Sequence, residues 1–476
     1  MPEAPRNVSD LVANAAEKAP DHLAFAEASS DNAVNWAKLD NAVNAEARRL
    51  LDAGIQPGDR VAIQLPTGIG FVIALFGALR AGATAVPMAM GLPDRERDRI
   101  LDDSKPKIVT DQAPDLDASA DVVRGAPGGE DIALLCYTSG TAGTPRGVML
   151  SHRALLANVE QCASLKPAPV TSTDRVLLAV PLFHAYGLGP GLFQVASTAA
   201  SAVLMDHFSV EPALKLCEDF RITVIVGVPP MYQAFAQVPA ERLASSLATL
   251  RLLTSGAAPL EPSVLKAMYQ ATGLNIYEGY GLTETGPVLT WTLVGGVAKP
   301  GSVGRPIPGV ELRLVDSDGT PGGDEDDEDD AGVVSVRGAN LFSGYWPDGA
   351  HGPDAEGWFR TGDVGYLDDD GDLHLVDRAN DLIIVNGFNV YPHEVEQVLS
   401  ELTEIAEAAA VGVPDERTGE RVKAVVVLRE GAELTEDQVR EHCAARLAKF
   451  KVPGPVEFVT TLPHSITGKL RRASLR

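Results

Sequence analysis

Apolar residues in this chain follow two rhythms. In the first half, short continuous apolar runs alternate with longer stretches whose apolar positions recur at helical spacing. Residues 60–65 (RVAIQL) read as a strand, 68–80 as a helix and 84–88 as the next strand. Residues 132–136, 223–228 (TVIVGV) and 251–253 read as further buried strands, each running into a turn. Short apolar runs spaced by helices predict an α/β domain with substantially parallel sheets. The most apolar stretch, 71–92, carries Arg80 between Gly77 and Gly82. A membrane span needs about 20 nearly uninterrupted apolar residues. The stretch therefore reads as a core helix, a turn and a strand, and no membrane segment is predicted.

The rhythm changes near Asp377. Residues 382–385 (LIIV) read as a strand, Asn386-Gly387 as a turn, and 392–399 as a helix with Pro392 in its first turn. Two more strands follow at 406–413 and 421–428. Thr435 with Gln438 three residues on has the form of a capping box, opening a helix that ends near Leu447. The pattern predicts a small α+β domain at 378–476 after a large domain at 1–377, with no fixed-period repeat.

Composition narrows the field of partners. The chain has 476 residues, 45% apolar and 22% charged, an ordinary globular balance. Its 40 basic and 65 acidic side chains give a formal net charge of −25. Such a surface repels polyanions and excludes nucleic acid as a natural partner. It would repel nucleotides too, so a nucleotide enzyme with this charge needs basic groups gathered at its site. Cys136, Cys162, Cys217 and Cys443 lie far apart without metal-ligand spacing, which points to a reducing, cytoplasmic setting. The opening MPEAPRNVSD lacks the basic and apolar regions of a secretory signal. The acidic run 324–330 (DEDDEDD) reads as a solvated loop rather than a cation site.

The clearest chemical signal is residues 137–147, YTSGTAGTPRG, following the strand at 132–136. Glycines let successive N–H groups point at one anion, and hydroxyls and a basic side chain add donors. The spacing is not that of the ordinary G-x-x-x-x-G-K-S/T phosphate loop. Composition alone leaves two readings open, an anion cradle and a flexible surface turn.

This segment resembles the first signature of the adenylate-forming superfamily: acyl- and aryl-CoA synthetases, luciferases and the adenylation domains of peptide synthetases. Ala142 stands where a Thr is common and Arg146 where a Lys is usual. Four further signatures follow in the family's order: PLFHAYGL at 181–188, SGAAP at 255–259 with YEGYGLTE at 277–284, GWFRTGDVG at 357–365 with Asp377-Arg378, and LPHSITGKLR at 462–471.

The resemblance implies a large N-terminal domain of α/β subdomains with a β-barrel-like part, and a small mobile α+β C-terminal domain. It implies an ATP-dependent, AMP-forming carboxylic acid:CoA ligase that makes an acyl adenylate and then a thioester. Thr138, Ser139, Gly140, Thr141, Gly143, Thr144 and Arg146 would surround the phosphates. Gly256, Ala257, Ala258, Tyr280 and Gly281 would hold the adenosine, with Tyr280 stacked on adenine. Thr283 would contact the α-phosphate and Glu284 would hold Mg²⁺. Asp363 would accept the ribose hydroxyls, and Arg378 would reach the ribose or phosphate.

Lys469 would bridge the attacking carboxylate and the α-phosphate. Arg378 and Asn380 mark the hinge, where relatives often carry Asp or Lys at the second position. Asn386, Gly387 and Phe388 would meet the pantetheine arm of CoA. The basic groups that the charge requires are thus Arg146, Arg378 and Lys469, with Lys449, Lys451, Arg471 and Arg472 nearby.

Around the acid, the resemblance places His184, Val228, Tyr232, Gly256 and Gly279. Glycine at 279 replaces the arginine typical of malonate-activating relatives, which disfavours a small diacid. The segment LIIVNGFNVYPHEVE is more similar to fatty acyl than to aryl ligases, so a medium- or long-chain fatty acid is expected. An aryl or cinnamic acid:CoA ligase is one alternative. An acyl-AMP ligase that loads an acyl carrier protein is another.

Overall fold

The computed structural model describes residues 5–139, 145–316, 331–378, 381, 383–385, 388–415, 417–447, 449–464 and 470–476. Contacts divide the chain into two compact units, Met1–Leu312 with Val336–Phe359, and Arg313–Ser335 with Arg360–Arg476.

The first unit holds two sheets. The nine-stranded one runs Arg305–Pro306, Val288–Trp291, Ile276–Gly281, Leu252–Ser255, Val224–Gly227, Arg175–Leu178, Ser201–Leu204, Leu23–Glu27, Ala33–Asn35 in spatial order. Its middle pairs are parallel and its outer ones antiparallel. The central strands are short and wholly buried, because helices or packed chain cover both faces. The five-stranded sheet orders Ile108–Thr110, Arg60–Ile63, Thr84–Pro87, Ile132–Ser139, Pro145–Ser151, parallel except for the last hairpin.

The apolar stretch read as a core helix is Ile69–Arg80, buried at nearly every position. It packs on the helix Trp36–Asp52, and Gly77 permits the approach: a Cβ there would lie 2.5 Å from Glu46 Cγ. Buried Arg80 is paired with Asp40 at 2.7 Å and donates to the Ser9 carbonyl at 3.2 Å. No helix among the described residues is long and apolar enough to cross a membrane. All four cysteines are free and buried.

A curled four-stranded sheet, in the order Val310–Val315, Gly332–Gly338, Trp358–Leu367, Leu373–Arg378, supplies the barrel-like region. In the second unit, Asp368 forms the turn between its last two strands by accepting the N–H groups of Asp370 and Asp372, each at 3.0 Å. Gly371 there adopts φ +78°, the left-handed conformation that suits glycine. The acidic run 324–330 lies outside the described residues.

The rest of the second unit is a five-stranded sheet with two helices. The strands Ile405–Asp415 and Gly419–Leu428 form a long antiparallel hairpin, with Ile383–Val385 and Val456–Val459 on the other edge of Gly419–Leu428. The helices Pro392–Ser400 and Glu436–Ala444 bury Val395, Leu399, Val439 and Cys443 against it. The Thr435–Gln438 capping box is present, with Gln438 N donating to Thr435 Oγ1 at 3.3 Å. The helix stops at Ala444, short of the expected Leu447, since a turn follows directly.

Candidate active site

Thr283 and Glu284 sit on a single 3₁₀ turn, Thr283–Thr285, between the antiparallel strands Ile276–Gly281 and Val288–Trp291. The turn is fastened from behind. Thr285 Oγ1 accepts the Leu282 N–H at 2.9 Å and donates to the Pro287 carbonyl at 2.7 Å. Asn340 Nδ2 donates to Thr285 O at 2.7 Å, and Asn158 bonds Val288 N–H and C=O at 3.2 and 2.8 Å. Gly281 leaves no room for a side chain, because a Cβ would run into the Pro287 carbonyl oxygen. The result is a rigid mount with Thr283 and Glu284 half-buried at its tip.

Facing elements bring the hairpin of the 137–147 segment to the same acid. The strands Ile132–Ser139 and Pro145–Ser151 pair so that Thr138 opposes Arg146. Residues 140–144 and the Ser139 side chain lie outside the described residues. The segment 343–346 is stitched to the second strand: Ser343 N–H donates to Met149 O at 2.9 Å, Met149 N–H to Gly344 O at 3.1 Å, and Trp346 N–H to Gly147 O at 2.8 Å. Tyr345 therefore stands between the hairpin and the turn. Its hydroxyl donates to Glu284 Oε1 at 2.7 Å, and the Arg146 guanidinium lies 4.0 Å above its ring.

A hydrogen bond to a charged group contributes about 1.5–3 kcal/mol, and an exposed cation–π contact about 0.5–1 kcal/mol. Tyr345 escaped sequence reasoning because its only signal is an aromatic after glycine in SGYW. Next to Glu284, burial and that carboxylate push the Cys136 thiol up to about 12.

The segment 181–188 leads into a π-helical turn, Gly187–Phe193, with Pro190 inside it. Such turns are rare and recur at functional sites. Gly189 in this turn lies against Pro287: a Cβ would be 2.5 Å from its Cδ. Half-buried His184 accepts the Tyr186 N–H on Nδ1 at 3.2 Å.

Tyr186, missed although it lies in the PLFHAYGL signature, spans two strand ends. Its hydroxyl donates to Gly227 O at 3.1 Å, and its ring would lie 2.8 Å from a Cβ on Gly256. Trp291 fills the corresponding role at the neighbouring strand: its ring is 3.4 Å from a Cβ on Gly279, and its indole N–H donates to Tyr277 O at 3.3 Å. The space that glycine opens at 279 is therefore bounded by an indole. Only tertiary pairing reveals this, since no motif marks Trp291.

Val228 is half-buried at the N-cap of the helix Pro229–Phe235. Tyr232, one turn on, is fully buried and donates to Thr254 O at 2.7 Å, supporting the strand ends from within.

The 255–258 turn carries strain. Ala257 has φ +72°, a left-handed conformation costly for a residue with a Cβ, and it is exposed, while Ala258 is half-buried. The Ser255 hydroxyl before it is buried and has no hydrogen-bond partner among the described residues. Opposite Ser255 in the sheet lies Glu278, buried, with Oε2 accepting the Leu260 N–H at 3.1 Å. Burial pushes its carboxyl up to about 7 against that single bond. Buried Tyr280 opposes Thr290 two residues on.

In the second unit Asp363 opposes Arg378 on paired strands. Asp363 is buried, and its N–H donates to Thr361 Oγ1 at 3.1 Å, which donates in turn to Val334 O at 3.1 Å. The Arg378 and Phe388 side chains, and Asn380, Asn386, Gly387 and Lys469, lie outside the described residues.

The sequence pattern of the AMP-binding enzyme matches residues 12–127 and 110–346, and that of the AMP-binding enzyme C-terminal domain matches 394–469. The chain belongs to the AMP-binding enzyme family. Among its relatives, a feruloyl-CoA synthase of an Amycolatopsis species is 36% identical, over 93% of this chain and 94% of that one. A long-chain-fatty-acid–CoA ligase of Mycobacterium tuberculosis is 31% identical over 99% and 98%. The solved ATP-bound MatB of Rhodopseudomonas palustris superposes with TM-score 0.90 at 32% identity, covering 99% of this chain and 98% of that one. As an AMP-binding enzyme of this kind, the chain is an AMP-forming acid:CoA ligase that uses ATP and CoA.

Proposed function

We propose that the enzyme activates an apolar monocarboxylic acid, with a planar aromatic acid of the cinnamate type as its preferred substrate. The observation that carries this reading is the pair of rings at the acyl end, Tyr186 against Gly256 and Trp291 against Gly279. They offer flat, uncharged walls on neighbouring strand ends. The feruloyl-CoA synthase relatives support it. A medium- or long-chain fatty acid is the second reading, supported by the Mycobacterium tuberculosis relative and by the segment at 382–396.

The chemistry follows in two steps. A carboxylate oxygen of the acid attacks the α-phosphorus of ATP, and the bond to pyrophosphate breaks. The CoA thiol then attacks the acyl carbon, and AMP leaves. Most of the acceleration comes from positioning and from charge stabilisation where charge develops. Arg146 and Thr138 meet the leaving phosphates, Thr283 the α-phosphate, and Asp363 with Arg378 the ribose end.

Glu284 suits a hard divalent cation, since its half-buried carboxylate is rigidly mounted and supplies oxygen ligands. Mg²⁺ there would neutralise phosphate charge. Lys469 supplies the positive charge for the first step, and 386–388 the CoA contact for the second. A boundary at 377/378, pivoting at Arg378 and Asn380, lets the C-terminal domain alternate between them. The four buried, free thiols suit a cytoplasmic setting.

AMP release measured over cinnamic, benzoic, fatty and dicarboxylic acids tests this reading. Turnover on fatty acids alone would overturn the aromatic assignment. Absence of CoA-dependent AMP release would favour a carrier protein as the acceptor. Lys469→Ala should lower pyrophosphate exchange by about 10²–10³-fold and leave thioester formation from supplied acyl adenylate intact. Equal losses in both half-reactions would refute its role.

A further inference from the structure

We infer that Tyr345 is a positioning residue that presets both charged groups at the phosphate end of the site. The inference rests on the reading of Glu284 as metal ligand and Arg146 as phosphate ligand, and assigns the device that holds them ready.

The case starts from what these two side chains would do alone. A glutamate and an arginine on separate elements are flexible, and each has several rotamers to lose on binding a nucleotide. Left to themselves they would also attract each other and close the space that phosphate must enter. Here one side chain stands between them. The Tyr345 hydroxyl fixes Glu284 Oε1 at 2.7 Å, and its ring holds the Arg146 guanidinium at 4.0 Å. Among the described residues, no hydrogen bond takes up the acid's second oxygen or the guanidinium edge, which suits both to ligands.

The tyrosine can impose this order because it is itself immobile. Its backbone bridges Val148 on the loop hairpin and Ala350 beyond it. Its ring meets Phe342 edge-on at 5.1 Å, and Phe342 N–H donates to the Glu284 carbonyl at 2.9 Å. Gly344 before it, at φ +96°, packs so closely on Gly349 that no side chain fits. The ring contact also gives the departure at 146 a physical sense. A planar guanidinium stacks on an aromatic face, whereas an ammonium approaches it as a point charge.

The test uses the full-length enzyme and equilibrium binding rather than turnover. Tyr345→Phe keeps the ring and removes the hydroxyl. It should raise the Mg²⁺ concentration needed for half-maximal ATP binding about tenfold, from the loss of one hydrogen bond to a charged group, with AMP binding unchanged. Tyr345→Leu removes the ring as well and should further reduce the preference for ATP over AMP. Unchanged AMP affinity certifies that each variant is folded.

If both variants keep the Mg²⁺ dependence and the ATP/AMP ratio of the parent within about twofold, the inference is overturned. It is equally overturned if AMP affinity falls along with that for ATP, the mark of a merely structural tyrosine. Glu284→Gln and Arg146→Ala separate the two levels. If they shift Mg²⁺ dependence and ATP preference while the Tyr345 variants do not, only the present inference fails. If they have no effect either, the underlying ligand assignments fail with it.

Discussion

The two regions of the first unit proposed for the phosphates and for the acid, the phosphate end and the acyl end, are built by opposite means. At the phosphate end, polar side chains from a hairpin, a 3₁₀ turn and a connecting segment meet through directional bonds, with Tyr345 between Glu284 and Arg146. At the acyl end, glycines at strand ends let rings approach the backbone, Tyr186 at Gly256 and Trp291 at Gly279. Directional bonds specify position and charge, which all acids share at the reacting centre. Packed rings specify shape, which is where acids differ. The first end should therefore tolerate little change, while the second should trade one substrate for another.

The largest expected effect breaks the scaffold common to both. Gly281→Ala drives a methyl group into the Pro287 carbonyl, so overpacking should cost roughly 3 kcal/mol or more. Chemical denaturation should show it, and a parent-like midpoint would mean that the turn can shift. Next comes the buried acid opposite Ser255. Glu278 has its carboxyl raised to about 7 from an ordinary 4.5. Between those values the folded state holds more protons than the unfolded one, so stability falls as pH rises through that window.

Glu278→Gln should abolish this slope and gain on the parent by as much as roughly 3 kcal/mol by pH 8. Urea midpoints at pH 5 and pH 8 check it, and parallel behaviour of the two proteins would refute it. Trp291→Ala tests the shape argument. It should weaken kcat/KM for planar acids about tenfold relative to longer chains, the scale of discrimination set by apolar packing, with the KM for ATP unmoved. The smallest effect is a gain. Ala257→Gly relieves the left-handed strain at φ +72° and should stabilise by about 1 kcal/mol, read as a higher melting temperature.

The same contrast explains what could be read in advance. The central strands were legible because fully buried strands are continuous apolar runs, and Val224–Gly227 and Leu252–Ser255 lie where those runs lie. Their ends shifted by a residue or two, since hydrogen-bond pairing rather than hydropathy sets them; Arg60–Ile63 stops before the expected Leu65. The cap at Thr435 was legible because both of its bonds are local. Glu284 and Thr283 stood out through their signature, as their backbone geometry depends on adjacent residues. Tyr345 and Trp291 did not, because each acts across a pairing of strands or segments distant in sequence. Glu278 stood inside the YEGYGLTE signature, yet its burial, which makes it unusual, is a property of the assembled sheet.

Burial of the sulfur groups has a practical corollary. With Cys136, Cys162 and Cys217 pushed up to about 12 and Cys443 up to about 11, almost no thiolate exists near neutrality to meet an alkylating dye. The native chain should thus react only slowly with maleimides. One cysteine installed on the outside of either unit becomes a unique address for a fluorophore or spin label, with no need to strip the natural ones first.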